Sequence, residues 1–219
     1  MLDSSTTVMI VKGLLETLYM TVFSTSAAYL LGLPLGIILV VTAEGSILPR
    51  PALNKILNVL VNLTRSVPFL ILLIAVLPIT RFITGTTIGS TATVVPLIIA
   101  AAPFVARLVE SSIKEVDRGI IEAALSMGAT PFEIITKVMI PEAKPSLIVG
   151  SAIATTTILG YSAMAGIVGG GGLGDIAIRY GYYRYQNGIM IATVVLLIVV
   201  VQIFQDIGMK ISQKQDKRR

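Results

Sequence analysis

The chain has 219 residues, 54% of them hydrophobic and only 13% charged, and its mean hydropathy is +0.88. That excludes an ordinary soluble surface and makes lipid the solvent for much of the molecule. The absence of His and Cys removes the histidine base, the thiol nucleophile, the commonest zinc ligands and any disulfide. The net charge of +5 is spread beside apolar segments, so it reads as a membrane-orientation signal and not as a nucleic-acid surface.

At the N-terminus, Asp3 and Glu16 flank the lone Lys12, and the apolar region that follows is too long for a cleavable signal peptide. The first span is expected to remain in the membrane. Residues 17–43, 82–106, 145–174 and 185–205 contain no Asp, Glu, Lys or Arg, and each exceeds the roughly 20 residues that cross a bilayer. Residues 66–80 are too short alone, so a weaker second span must start near Val59 and carry Arg65 in its first turns. The expected fold is an all-α integral membrane protein: one transmembrane domain over residues 1–219 with spans near 14–42, 58–79, 86–107, 146–168 and 187–208, about five in number, plus a short helix in a connecting loop over residues 108–144.

Five spans put the termini on opposite sides. With the C-terminus cytoplasmic, Arg50, Lys55, Arg65, Arg107, Lys114, Arg118, Lys137, Lys144, Lys210, Lys214, Lys217, Arg218 and Arg219 lie inside, and only Lys12, Arg81, Arg179 and Arg184 lie outside. The positive-inside rule therefore predicts an external N-terminus. Gly32-Leu33-Pro34-Leu35-Gly36, Ala100-Ala101-Ala102-Pro103 and the small residues from Ser151 to Thr157 suit close helix packing in lipid.

The polar stretch from Arg107 to Lys144 reads as two helices set at an angle. Ile120, Ile121, Ala124 and Leu125 form an apolar stripe at helical spacing, with Glu122 and Ser126 away from it. Gly128 supplies a stop. Thr130-Pro131-Phe132-Glu133 is a capping box with Pro at the first helical position, reinforced by Glu133 and Lys137 at i,i+4. Pro141 and Pro145 are expected to end this helix and begin the fourth span.

Glu122-Ala123-Ala124, three residues, Gly128, nine residues, and Val138-Met139-Ile140-Pro141 resemble the EAA loop of ABC importer permeases. Val138 and Ile140 stand where that pattern usually has Ile and Leu. Thr64-Arg65-Ser66-Val67-Pro68-Phe69, Ala101-Ala102-Pro103-Phe104-Val105-Ala106-Arg107, and Gly160-Tyr161-Ser162-Ala163-Met164-Ala165-Gly166 with Gly170-Gly171-Gly172-Leu173-Gly174 resemble segments of the methionine importer permeases. The resemblance spans most of the chain from about Asn54 to Tyr185. It implies a type I permease of a prokaryotic cell membrane, a homodimer with two copies of an ABC ATPase subunit and an extracytoplasmic methionine-binding protein. The resemblance further implies that such a permease carries methionine in both D- and L-forms, with no cofactor and no metal of its own. The loop would hold the coupling helix that docks on the ATPase, with Glu122, Ala123, Ala124, Ser126, Met127, Gly128 and Pro131 as coupling residues. A permease for another small amino acid or related solute is the nearest alternative.

Tyr161, Ser162 and Met164 interrupt the fourth span with polar or soft side chains and are candidates to line the pathway, with helix packing as the plainer account. Arg65 is equally open between a functional role and snorkelling to the interface. Residues 169–174 contain a formal GxGxxG, but no strand precedes it, so a flexible or closely packed outer turn is expected instead of a dinucleotide site. No GxxxxGK[ST] occurs, so ATP hydrolysis is left to a partner. Gly172-Leu173-Gly174-Asp175 matches the GxGD motif of aspartyl intramembrane proteases, yet a second carboxylate must share a proton at close range. Asp206 falls roughly a bilayer thickness away, and a serine protease would need a histidine. A secondary transporter has broken polar helices too, but it needs no EAA-type loop, and the charge-free intervals lack carboxylates.

Overall fold

The structure is a computed structural model, and it describes residues 4–215. All its regular elements are helical: α1 (Ser4–Val41), α2 (Pro51–Ser66), α3 (Phe69–Ala75), α4 (Leu77–Thr84), α5 (Ser90–Lys114) and α6 (Arg118–Ser126) are followed by α7 (Pro131–Val168), α8 (Gly172–Ile176) and α9 (Asn187–Gln215). Four of these, α1, α5, α7 and α9, are long and apolar enough to cross a bilayer, and α2 with α3 makes a fifth candidate bent by 102°. The expected all-helical membrane architecture is borne out.

The helix α5 is the most buried span and α9 the least. Small residues let α1 lie directly on α5: a Cβ at Gly32 would meet the Ala102 carbonyl and Val105, and one at Gly36 would meet the Ala106 carbonyl and Val109. In lipid, where helices gain nothing from leaving water, such backbone approach supplies the dispersion contact that holds a bundle together. Leu97, Ala101, Val105 and Val109 of α5 then join Met20 and Ala28 of α1 and Ala154 and Ile158 of α7 in the central core.

Three boundaries differ from the sequence reading. The second span is not one helix over 58–79. Val67 is extended at φ −81 and ψ 126, because the ring of Pro68 disfavours the helical region for the residue before it, and α2 stops there. The third span, α5, continues past Arg107 to Lys114, where Glu110 pairs with Arg107 at i,i+3 and with Lys114 at i,i+4. Pro141 and Pro145 do not end a helix. Within α7, residues Ile134–Met139 form wide π-helical turns, with the Ile140 amide donating to the Ile135 carbonyl, and the widened ladder carries the helix on through both prolines.

The bundle therefore has two unlike ends. One carries the α1–α2 connection, α6 and the last turns of α9; we call it the basic end, since Arg50, Lys55, Lys114, Arg118, Lys210 and Lys214 gather there. The other joins the start of α1 to the glycine segment around α8.

Candidate functional site

The basic end is built around α6. Asp117 caps it, its carboxylate accepting from the Gly119 amide at 2.6 Å. At the far end Gly128 turns left-handed at φ +81, the Gly128 amide donates to the Leu125 carbonyl at 2.9 Å and the Ala129 amide to the Ala124 carbonyl at 3.1 Å. That pair of bonds is a Schellman stop. Two residues later the predicted capping box is present in full: the Glu133 amide donates to Thr130 Oγ1 at 3.3 Å, and the Thr130 amide donates to Glu133 Oε2 at 3.1 Å. Lys137 Nζ holds the other carboxylate oxygen at 3.0 Å. The chain thus makes a fixed corner between α6 and α7, stiff because both helix ends satisfy their own orphan groups.

The corner presents apolar side chains to its surroundings. Met127 is 82% exposed and Phe132 is 74% exposed, while Ala124 and Ile134 beneath them are buried. The expected stripe is only half right: Ala124 and Ile121 pack inward, but Ile120 and Leu125 remain 44% and 45% exposed. Glu122, Ala123 and Gly128 are exposed and Pro131 is half-buried. The Ser126 hydroxyl donates to the Glu122 carbonyl at 2.9 Å, so it is occupied by its own helix. Phe132 was not among the residues singled out from sequence; a large aromatic standing between a cap proline and Glu133 in an otherwise polar loop is the signal that marks it. A cleft of about 450 Å³, lined by Glu44, Ile47, Lys114, Arg118, Ile121 and Leu125 among others, separates α6 from the α1–α2 connection.

Deeper in the bundle, Glu110 is 6% exposed. It accepts from Arg107 and, at 2.7 Å, from Lys114. Arg107 also reaches Asn62 Oδ1 at 2.8 Å, so one charge cluster ties α2 to α5. A buried carboxylate with two cationic partners is compensated where a single one would be costly. Above it, the Arg65 guanidinium lies 5.9 Å from the Phe104 ring centre. Phe69, at the start of α3, stacks on Tyr161 with centroids 4.4 Å apart and planes 4° from parallel.

The three pathway candidates differ in exposure. Ser162 is 1% exposed and its hydroxyl donates to the Leu159 carbonyl at 2.7 Å, so within this chain it packs and lines nothing open. Tyr161 is half-buried against Phe69, and Met164 is exposed.

At the opposite end, the glycine segment is closely packed. The Gly172 amide donates to Glu16 Oε2 at 2.8 Å, the Leu173 amide to Thr17 Oγ1 at 2.9 Å, and the Gly89 amide to the Gly169 carbonyl at 2.9 Å. Asp175 pairs with Arg179 at 3.1 Å, so it is neutralised locally, and Asp206 is exposed far along α9.

Residues 32–214 match the family described as binding-protein-dependent transport system inner membrane component. The chain belongs to this family. It is 53% identical over 93% of its length to a Vibrio cholerae protein described as a probable D-methionine transport system permease protein MetI, of which it covers 90%. The Escherichia coli K12 D-methionine transport system permease protein MetI is 46% identical over 72% of this chain and 73% of its own length. Among solved structures, a chain of the inward-facing MetNI methionine ABC transporter superposes with a TM-score of 0.97 at 43% identity, covering 98% of this chain and 100% of that one. An amino acid ABC transporter crystallised with histidines shares the fold at a TM-score of 0.79 and 21% identity over 95% and 94% of the two chains. As an inner membrane component of such a system, this chain is a transporter subunit and not itself an enzyme.

Proposed function

We propose that this chain is the membrane-spanning subunit of a methionine importer, carrying D- and L-methionine as a pair with a second copy and driven by two separate ATPase subunits. The N-terminus lies outside and the basic end faces the cytoplasm, as the charge bias favours. An extracytoplasmic binding protein delivers the substrate at the glycine end. The observation that carries this reading is the likeness in sequence and fold, over nearly the whole chain, to methionine permeases.

The corner of α6 and α7 is the coupling element. Glu122, Ala123, Ala124, Ser126, Met127, Gly128 and Pro131 form it, and Phe132 joins them. Met127 and Phe132 supply the apolar anchors of the contact, since exposed large apolar groups at a polar end are otherwise unfavourable. Because the corner is stiff, movement of the ATPase subunits passes to α5 and α7 as rigid-body motion, which is the form a packed bundle can transmit.

The test is methionine uptake into vesicles holding this chain with its ATPase and binding protein. Uptake that requires ATP and is lost in Glu122→Lys, with the complex still assembled, supports the reading. Uptake driven by an ion gradient without the ATPase overturns it.

A further inference from the structure

We propose that the break between α2 and α3 opens onto the aqueous translocation path, and that Arg65 there holds the carboxylate of the carried amino acid. The second half of this proposal rests on the reading of the chain as an amino-acid importer.

The depth of the break carries the argument. The Arg65 guanidinium lies over Phe104, which is fourteen residues from the Ser90 end of α5 and ten from its Lys114 end. Phe69, just past the break, stacks on Tyr161, which is sixteen residues from Pro145 and thirteen from Gly174, the two ends of a charge-free interval, so the break lies well inside the apolar part of the bundle. The Arg65 side chain leans on the ring of Phe104. Asn62, Arg65 and Ser66 are all exposed on this chain, and so are Val67 and Pro68. Irregular backbone at such depth is tolerated only inside protein or beside water, because a helix end leaves its last carbonyls unpaired and hydrocarbon cannot satisfy them.

The chemistry of the break suits a zwitterion. Arg65 offers the planar pair of donors that matches a carboxylate. The carbonyls at the C-terminal end of α2 carry the negative pole of that helix and suit an ammonium group beside it. The half-buried rings of Phe104 and Tyr161 give the apolar side chain a surface. The Arg107, Glu110 and Lys114 cluster is already paired within itself and with α2, whereas Arg65 makes no ion pair among the described residues.

The natural chain has no Cys, so single cysteines report on it directly. In the complete complex in vesicles, Arg65→Cys is treated with a charged, membrane-impermeant methanethiosulfonate and compared with Ile198→Cys, an exposed position on the least buried span. Modification of Arg65→Cys at least tenfold faster is expected; equal, slow modification of both overturns the aqueous path. Ser66→Cys then reads the ligand: millimolar methionine is expected to slow its modification at least threefold, methioninol, which lacks the carboxylate, is not, and adding Arg65→Gln abolishes the protection while Arg65→Lys keeps part of it. Protection that survives Arg65→Gln overturns the role of Arg65. A complex that transports a different amino acid and is protected by that one refutes the methionine reading and leaves the role of Arg65 standing.

Discussion

The two ends of this bundle solve opposite problems. At the glycine end, backbone amides of residues 172 and 173 are bonded to Glu16 and Thr17 of α1, and a Cβ at Gly174 would collide with the Ala163 carbonyl. Gly170 and Gly172 are tightly enclosed too, by the Ala165 carbonyl and by Thr17. At the basic end, Met127 and Phe132 stand out from a corner whose hydrogen bonds are complete. The backbone of the glycine end is fixed by contacts within this chain, although Ile88 and Ile167 beside it are exposed, and the basic end is finished as a scaffold but unfinished as a surface. The difference is one of backbone against surface: closely packed glycines mark packing done within the chain, and exposed apolar groups on a hydrogen-bonded corner mark a surface that the chain itself leaves open.

Substitutions can break or sharpen this contrast. The largest effect is expected at the glycine end, where Gly174→Leu drives a side chain into backbone and costs about 3 kcal/mol or more, the upper range for overpacking; detergent-solubilised protein should show lost yield or a collapsed melting temperature. If that variant folds normally, the end is not packed as described. Next, Met127→Glu should cut ATP-driven uptake at least tenfold, about 1.4 kcal/mol of lost coupling, while the melting temperature stays put, because the side chain has no packing role in this chain. A parallel fall in melting temperature would make Met127 a structural residue. Thr130→Ala removes the capping box and should lower stability by about 1 kcal/mol, with a matching partial loss of uptake as the corner loosens, read by thermal unfolding and transport on the same preparation. Smallest is Ser126→Ala. Its hydroxyl bonds its own helix, so both stability and uptake should change by no more than about 0.5 kcal/mol; a large loss of uptake would mean the hydroxyl leaves Glu122 to bond the partner.

Much of this was legible in the residues. Charge-free intervals mark four spans because ionised groups and hydrocarbon do not mix. The α6 stop and the capping box could be read because their partners are within five residues of one another. What the sequence could not disclose depends on contacts made elsewhere. Pro141 and Pro145 look like helix ends until wide turns ahead of them make room. Ser162 looks like a pathway residue because its polarity is visible and its burial is not. Ile120 and Leu125 have helical spacing, yet the stripe they complete is wider than the surface α6 rests on. The break at Pro68 was foreseeable from the proline rule, but the need for a second span concealed it.

The broken span also bears on how the protein is made. Neither α2, which is amphipathic, nor the seven residues of α3 is long and apolar enough to partition into a bilayer as an independent segment. During synthesis this stretch has to wait beside the insertion machinery until α5 emerges and offers Arg107, Phe104 and the core residues that Phe69 and Leu73 pack among. Biogenesis of the middle of the chain is thereby made dependent on sequence that is translated after it.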